Sequence, residues 1–435
     1  MKIRPQISLL LLLAPWTAPS IARADLHAVL HQIDSDSPGL AAANSRAAAA
    51  AARLRASRSR YFGSASLVGD RIEFNNPRLV GPISPPIDIG NLTTDDSQFG
   101  FGLAMSLPLD INRRIGAVVG EQDELSKAAV HDAQNVRLFL FGRAVLLYRS
   151  LQELNGNRLA LQSQLRSLEK NYQVTQTRVD VGRVARVELL RIDAERKAVT
   201  GQLAVLDGQE IGLRAAIGAL LGQDDYPDTI STVTVAPRTL TVQNEYDVLQ
   251  RPDVRAAERR VAAARQKLKG ARREWFPNMQ LQASKFRNGG LSAPHNDTWF
   301  VSLRLDWELW DGGRRTATID SAKAGLMALS SDLSARRYQS RQEMDAAVAS
   351  WRAAKLQYDS AIAGLSAATE TQRIQSDRFQ AGRISAADLV DAEAAMAAAM
   401  ATKTSAMARW WLADDRARLA AGLVPTAYAG ANTAK

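Results

Sequence analysis

Asp388 and Asp391 stand three residues apart in the stretch RFQAGRISAADLVDAEAA at 378–395. On a helix that spacing puts both carboxylates on one face, where they can hold cations or repel one another. Acids at a helix start can also do no more than complement its dipole. Other candidates for chemistry are sparse. His27 and His31 lie four apart, the spacing of a metal pair, but no third ligand is near. Metal sites usually take three or four ligands, so solvent-facing side chains are the plainer reading. His131 and His295 stand alone, and no nucleophile elbow or phosphate-binding loop is present. No catalytic constellation emerges, so no enzyme activity, cofactor or metal is expected.

The segment holding the acids occurs twice. RVDVGRVARVELLRIDAE at 178–195 aligns with 378–395, setting Arg178 on Arg378, Gly182 on Gly382, Arg183 on Arg383 and Leu189 on Leu389. The first copy carries Glu188 and Arg191 where the second has two aspartates. A glycine fits the left-handed position that closes a helix, and Ser385 is a helix-capping residue type. Each copy therefore reads as the tip of a helical hairpin, at about 178–188 and 378–388.

Long helices must carry these tips. No proline lies between Pro108 and Pro227, or between Pro294 and Pro425, and proline is what breaks helix interiors. Leu147, Leu151, Leu154, Arg158, Leu161, Leu165, Leu168 and Tyr172 repeat in a 3-4 rhythm. Ile319, Ala322, Leu326, Leu329 and Leu333 do the same, as do Met344, Val348, Trp351, Lys355, Tyr358, Ile362 and Leu365, with Lys355 as a polar break. These are coiled-coil seams, and the eleven-residue step from Leu333 to Met344 locally unwinds the coil. Each helix would run about 65 residues, or about 100 Å.

Upstream of each long helix the period changes to two. TWFVSLRLDWEL at 298–309 sets Trp299, Val301, Leu303, Leu305, Trp307 and Leu309 on one face. QFGFGLAMSLPL at 98–109 alternates likewise, and 276–286 and, more weakly, 62–74 complete four strands of transmembrane β length. Tyr61, Phe62, Trp275, Phe276, Trp299, Trp307 and Trp310 gather at strand ends, as a membrane-interface girdle does. A soluble sandwich edge is the competing reading.

Composition limits the setting. The 435-residue chain opens with Lys2, Arg4, an apolar run at 7–14 and Ala22-Arg23-Ala24, a secretory signal over 1–24. It has no cysteine, which removes thiolate sites and a lipid anchor on that residue. The formal charge of +10 falls to about +7 without the leader and is scattered among acids, which argues against nucleic acid. No later stretch is apolar enough for a membrane helix. The organisation expected is a signal at 1–24, a first repeat at 25–222, a small mixed insertion at 223–250, a second repeat at 251–421 and a flexible tail at 422–435. LRASRSRYFGSASL at 54–67 matches LKGARREWFPNMQL at 268–281 in the second repeat. Loop 75–97 is expected to be extracellular.

Four strands cannot close a barrel, and open edges cannot sit in lipid. Three copies would supply twelve strands and gather their helices into a tube. The fold class expected is mainly α with a membrane β-barrel portion: helical hairpins in two tandem repeats, four strands per chain, and a trimeric barrel continued by an α-helical tube. In a trimer Asp388 and Asp391 would put six carboxylates around one axis, a ring that binds cations and tunes ion passage.

The sequence resembles the TolC-like outer-membrane efflux family across nearly all of the chain after the leader. The resemblance rests on RPDVRAAERRVAAA at 251–264, WFPNMQLQAS at 275–284, LDWELWDGGRR at 305–315 and AGRISAADLVDAEAA at 381–395, with weaker first-half copies. RPDVRAAERR is most similar to the drug-efflux branch, whereas SLPLDINRRIG at 106–116 is similar to metal-efflux members but lacks the glycine pair seen at Gly312 and Gly313. The resemblance implies an exit duct in the outer membrane of a Gram-negative bacterium, reaching into the periplasm. Its partners would be outer-membrane lipid, a periplasmic adaptor and, indirectly, an inner-membrane pump. It also implies that Gly182, Arg183, Val184, Gly382, Arg383 and Ile384 contact the adaptor. Two other classes fit less well. A periplasmic adaptor needs one hairpin and a compact β domain, and a structural surface protein needs no strands with an apolar face.

Overall fold

Each proline-free stretch holds two helices, one of them very long, joined by a tight turn. The structure, a computed structural model, describes residues 25–80, 92–224, 226, 237, 248–291 and 295–429. The leader, most of the insertion at 223–250, the centre of the loop at 75–97 and the last residues of the tail lie outside the described residues.

The chain runs α1 (Leu26–Asp36), α2 (Pro38–Ser59), β1 (Ser64–Leu79), β2 (Thr94–Leu109), α3 (Arg114–Asp180) and α4 (Arg186–Leu221). It then repeats as α5 (Pro252–Arg273), β3 (Asn278–Gly290), β4 (Asn296–Asp306), α6 (Arg314–Gln380) and α7 (Ala386–Ala420), closing on α8 (Thr426–Ala429). α3 and α6 are both 67 residues long, about 100 Å at 1.5 Å per residue. α2 and α5 both have 22 residues with proline in the first turn, where a missing N–H costs nothing. The class expected from the sequence, mainly α with a four-stranded antiparallel portion, is the one found.

The strands form one sheet in the order β1-β2-β3-β4 with every neighbour antiparallel. Leu67 faces Leu103, Leu107 faces Leu281, and Leu281 faces Leu303, so each strand places leucines on one face, which also carries Arg71 and Lys285, while Val68, Ile72 and Phe286 lie on the other. Ser66, Ala104, Ser284 and Phe300 share the other, as do Ser106, Gln282 and Ser302. Phe101, Leu103, Met105, Val301, Leu303 and Leu305 are exposed. Among the described residues no helix is long and apolar enough to cross a membrane.

Three expectations need correction. The stretch 75–97 is not all loop, because β1 continues to Leu79 and β2 begins at Thr94. Its pairing shifts register between Glu73 and Arg78, around Pro77, which cannot donate to a ladder. Trp307 and Leu309 lie beyond β4, which ends at Asp306. Residues 422–429 are not a loose tail: the Tyr428 hydroxyl donates to Asp34 Oδ2 at 2.6 Å and accepts from Arg137 at 2.8 Å, and Thr426 Oγ1 donates to Asp414 Oδ2 at 3.2 Å. Tyr428 also stacks on His31, 5.0 Å between centroids. Of the histidine pair, His31 is exposed but His27 is half-buried, its ring 4.5 Å from that of His31.

The seam of α6 also differs in detail. Lys355 and Ile362 are exposed, and the buried positions are their neighbours Ala354 and Ala361. Through the eleven-residue step the seam is carried by Arg336, half-buried, and Ser340, fully buried. Trp351 and Tyr358 pack on Trp410 of α7, 6.1 and 5.4 Å between rings. In α3 the expected seam is present, and Arg158 within it is paired with Asp207 at 2.6 Å and with Glu210, both on α4.

A charged knot fixes the second repeat at mid-length. Arg251 donates to both oxygens of Asp253 at 3.1 and 2.9 Å, to the Ala420 carbonyl at 3.1 Å, and pairs with Glu343 at 2.7 Å. Asp253 also pairs with Arg336 at 2.8 Å. The RPD sequence thereby ties the start of α5 to the middle of α6 and the end of α7.

Candidate functional site

The tips are built the same way twice. Gly182 and Gly382 have φ of 72° and 70°. The Arg183 amide donates to the Arg178 carbonyl at 2.8 Å, and Arg383 to Arg378 at 2.9 Å, which closes α3 and α6 with the six-to-one bond of a glycine cap. A side chain at either glycine would meet nothing within 4 Å, so the dihedral, and not crowding, demands glycine. Gly182, Arg183, Gly382 and Arg383 are exposed, while Val184 and Ile384 are half-buried. Ile384 packs on a cluster of Leu168, Ile192, Phe379, Ala386 and Leu389.

The two tips lie together, which the sequence alone did not reveal. Arg178 of the first tip donates to the carbonyls of Phe379 at 3.1 Å and Gln380 at 2.8 Å, the last residues of α6. Glu188 Oε2 accepts from the Ala386 amide at 2.7 Å, at the start of α7. A cation thus meets a helix C-terminus and an anion a helix N-terminus, each the favourable pairing with the dipole. The first tip holds both ends of the second.

This arrangement explains why the copies differ. In the second tip Ser385 caps α7 in a reciprocal box: its hydroxyl accepts from the Asp388 amide at 3.3 Å, and Asp388 Oδ2 accepts from the Ser385 hydroxyl at 2.7 Å and amide at 3.1 Å. Ala185 stands at the matching position of the first tip and has no cap to offer, which leaves Glu188 free to reach across. The hydroxyl and amide of Ser385 hold the Asp388 carboxyl below the usual carboxylate range. Asp388 and Asp391 are both exposed, and Asp391 has no hydrogen bond or ion pair among the described residues. Asp388 therefore does serve the helix start, yet both acids remain open to ions.

Two residues past Asp391 on α7 lies Glu393, 1% exposed. Its Oε1 accepts from Ser167 Oγ of α3 at 2.5 Å and from Gln372 Nε2 of α6 at 2.8 Å. A carboxylate in an alanine-rich helix gave no sequence signal of its burial. The three-residue spacing of the apolar Ala386, Leu389 and Ala392 was the one available clue to the buried face.

The aromatic residues divide between the two ends of the sheet. Phe62, Trp275, Phe276, Trp307 and Trp310 are exposed where helices meet strands, and Tyr61 lies with them. The Trp307 indole donates to the Trp275 carbonyl at 3.2 Å, and the Arg315 guanidinium covers the Trp275 ring at 4.4 Å. Trp299 sits apart, opposite Lys285 near the far end of β4. Trp307 lies eight residues on from Trp299, just past the end of β4, about 25 Å at 3.3 Å per residue, close to the height of a barrel's apolar band.

Comparison with known proteins agrees with this architecture. The family profile described as "Outer membrane efflux protein" matches residues 29–223 and 248–423. Nodulation protein T of Rhizobium leguminosarum bv. trifolii is 24% identical over 264 residues, covering 58% of this chain and 56% of that protein. The solvent efflux pump outer membrane protein SrpC of Pseudomonas putida is 26% identical over 265 residues, covering 57% of this chain and 54% of that protein. The matched stretches thus span about half the length of these relatives. Among solved structures, the Campylobacter jejuni CmeC outer membrane channel superposes with a TM-score of 0.80 at 17% identity, covering 94% of this chain and 88% of that one. The chain belongs to the outer membrane efflux protein family, a family of channels and not of enzymes.

Proposed function

We propose that the chain is the outer-membrane exit duct of a tripartite export system, taking substrates from an inner-membrane pump through a periplasmic adaptor. The observation that carries the reading is the sheet: Leu67, Leu103, Leu281 and Leu303 leave one face with exposed apolar side chains on every strand, and among the described residues β1 and β4 have no further strand beside them. Free edges are not tolerated in lipid, so a homotrimer of twelve strands is the assembly we infer. Helices of about 100 Å continue the barrel as a tube. At its far end the exposed Gly182, Arg183, Gly382 and Arg383, with Val184 and Ile384 behind them, form the adaptor-contact surface. Asp388 and Asp391 from three copies line the constriction, and Tyr61, Phe62, Trp275, Phe276, Trp307 and Trp310 sit at one membrane interface with Trp299 at the other.

Single-channel recording in planar bilayers tests this. The wild type conducts with a preference for cations, and Asp388→Asn/Asp391→Asn loses most of that preference while still inserting. A protein that never forms a channel contradicts the duct, and a double variant with unchanged ion preference contradicts the acidic constriction.

A further inference from the structure

The C-terminal ends of α2 and α5, with Arg60 just past the end of α2, carry cations that no ion pair among the described residues consumes. In LRASRSRYF and LKGARREWF, two copies of one segment, Arg55 aligns with Lys269 and Arg58 with Arg272, ahead of Tyr61-Phe62 and Trp275-Phe276. Their neighbours are spent on acids: Arg58 pairs with Asp123 at 3.5 Å, Arg114 with Glu274 at 3.0 Å, and Arg314 with Glu308 at 2.7 Å. Arg55, Arg60, Lys269 and Arg272 are exposed and have no acidic partner among the described residues.

Their position is set by the rings beside them. Arg55 is seven residues before Phe62, and Lys269 seven before Phe276, about 10 Å along the helix, roughly one screening length in physiological salt. Phe62 is 82% exposed, and the Arg273 guanidinium lies 5.7 Å from the Phe276 ring. With the sheet read as a membrane barrel, the cations lie just beyond its aromatic edge, at the depth of lipid headgroups. We propose that Arg55, Arg60, Lys269 and Arg272 form a collar that binds the phosphate of anionic phospholipids in the leaflet next to the helical tube. This rests on the reading of the sheet as a membrane barrel. Charge complementarity selects the occupant: the acids beside the aromatics are engaged elsewhere, Glu274 by Arg114 and Arg314, and the four exposed cations, without acidic partners among the described residues, match a negatively charged lipid surface.

The test uses the full chain in phosphatidylcholine vesicles with a fifth of the lipid replaced by a bromine-labelled species. The label is on phosphatidylglycerol in one set and on phosphatidylcholine in the other, and quenching of tryptophan fluorescence is read. Trp275, Trp307 and Trp310 report on lipid at the collar. The collar predicts an apparent local enrichment of phosphatidylglycerol of about fivefold, the effect of a single cation near an anionic surface, falling to parity in Arg55→Gln/Arg60→Gln/Lys269→Gln/Arg272→Gln and in 1 M salt. Equal quenching of the wild type by both labelled lipids overturns the collar and leaves the barrel standing. Quenching by neither overturns both. The wild-type comparison decides the matter even if the fourfold variant fails to insert.

Discussion

Replacing Arg251 by alanine should open the knot that joins α5, α6 and α7. The Arg251 side chain is 10% exposed and that of Asp253 is 5% exposed. Removing one partner of a buried ion pair costs about 3–5 kcal/mol, because the remaining charge is left without compensation. Asp253 would keep Arg336 and the Val254 amide at 2.9 Å, which places the expected loss near the low end, about 3 kcal/mol. For a chain of this length that lowers the thermal midpoint by about 4 °C, measurable by circular dichroism in detergent. Burial alone would push the Asp253 carboxyl up, but the Arg251 guanidinium, aided by Arg336, holds it below its ordinary value. A depressed carboxyl contributes stability that is present above the unfolded value near 4 and is lost as pH falls through the lower folded value. The deficit of Arg251→Ala should therefore be full at pH 7 and shrink below about pH 4. The double variant Arg251→Ala/Asp253→Ala should lose less than the two single losses added together. Unchanged stability of Arg251→Ala, or a deficit that is the same at pH 7 and pH 3.5, refutes an electrostatic knot.

Three further outcomes follow from the geometry. Arg178→Ala removes two charge-assisted bonds between the tips and should cost about 2 kcal/mol, seen as faster amide exchange around Arg383 and Ala386 while the sheet keeps its protection; equal exchange means the tips are held by packing alone. Arg113 is the one non-glycine residue with positive φ among those described, at 55°, where the second repeat has Gly313; Arg113→Gly should therefore stabilise the fold by about 1 kcal/mol, and a loss of stability would locate the value of Arg113 in its side chain. Leu303→Arg puts a charge at mid-height on the apolar face and should cost about 2–4 kcal/mol of membrane stability, whereas Ser302→Arg on the other face should insert normally; equal tolerance of both refutes the assignment of faces.

The periodic parts of this molecule were legible because each period has one geometric cause. Alternation at 298–309 and 98–109 announced strands, and the match of 178–195 to 378–395 announced hairpin tips closed by Gly182 and Gly382. Where composition blurs the period, reading failed: in the alanine-rich α6 the buried positions are Ala354 and Ala361, and the larger Lys355 and Ile362 drew the seam one place off. Contacts across the repeats carry no local mark. Nothing near Arg178 says that it reaches residues two hundred positions away, and the serine before Asp388 was readable as a cap, whereas the bare Ala185 before Glu188 did not announce a bridge. The chain end failed for a similar reason, since Tyr428 is ordered by Asp34 from the opposite end of the sequence and by Arg137 of α3.

The central claim is that one chain supplies a third of a membrane barrel. Its most direct test is the mass of the protein extracted in mild detergent from an outer-membrane fraction, by light scattering corrected for bound detergent. The account predicts a stable particle of three chains, with a mass three times that of one chain, 47.3 kDa for the full sequence. A single chain recovered from the soluble periplasm, with β1 and β4 left unpaired, would contradict it.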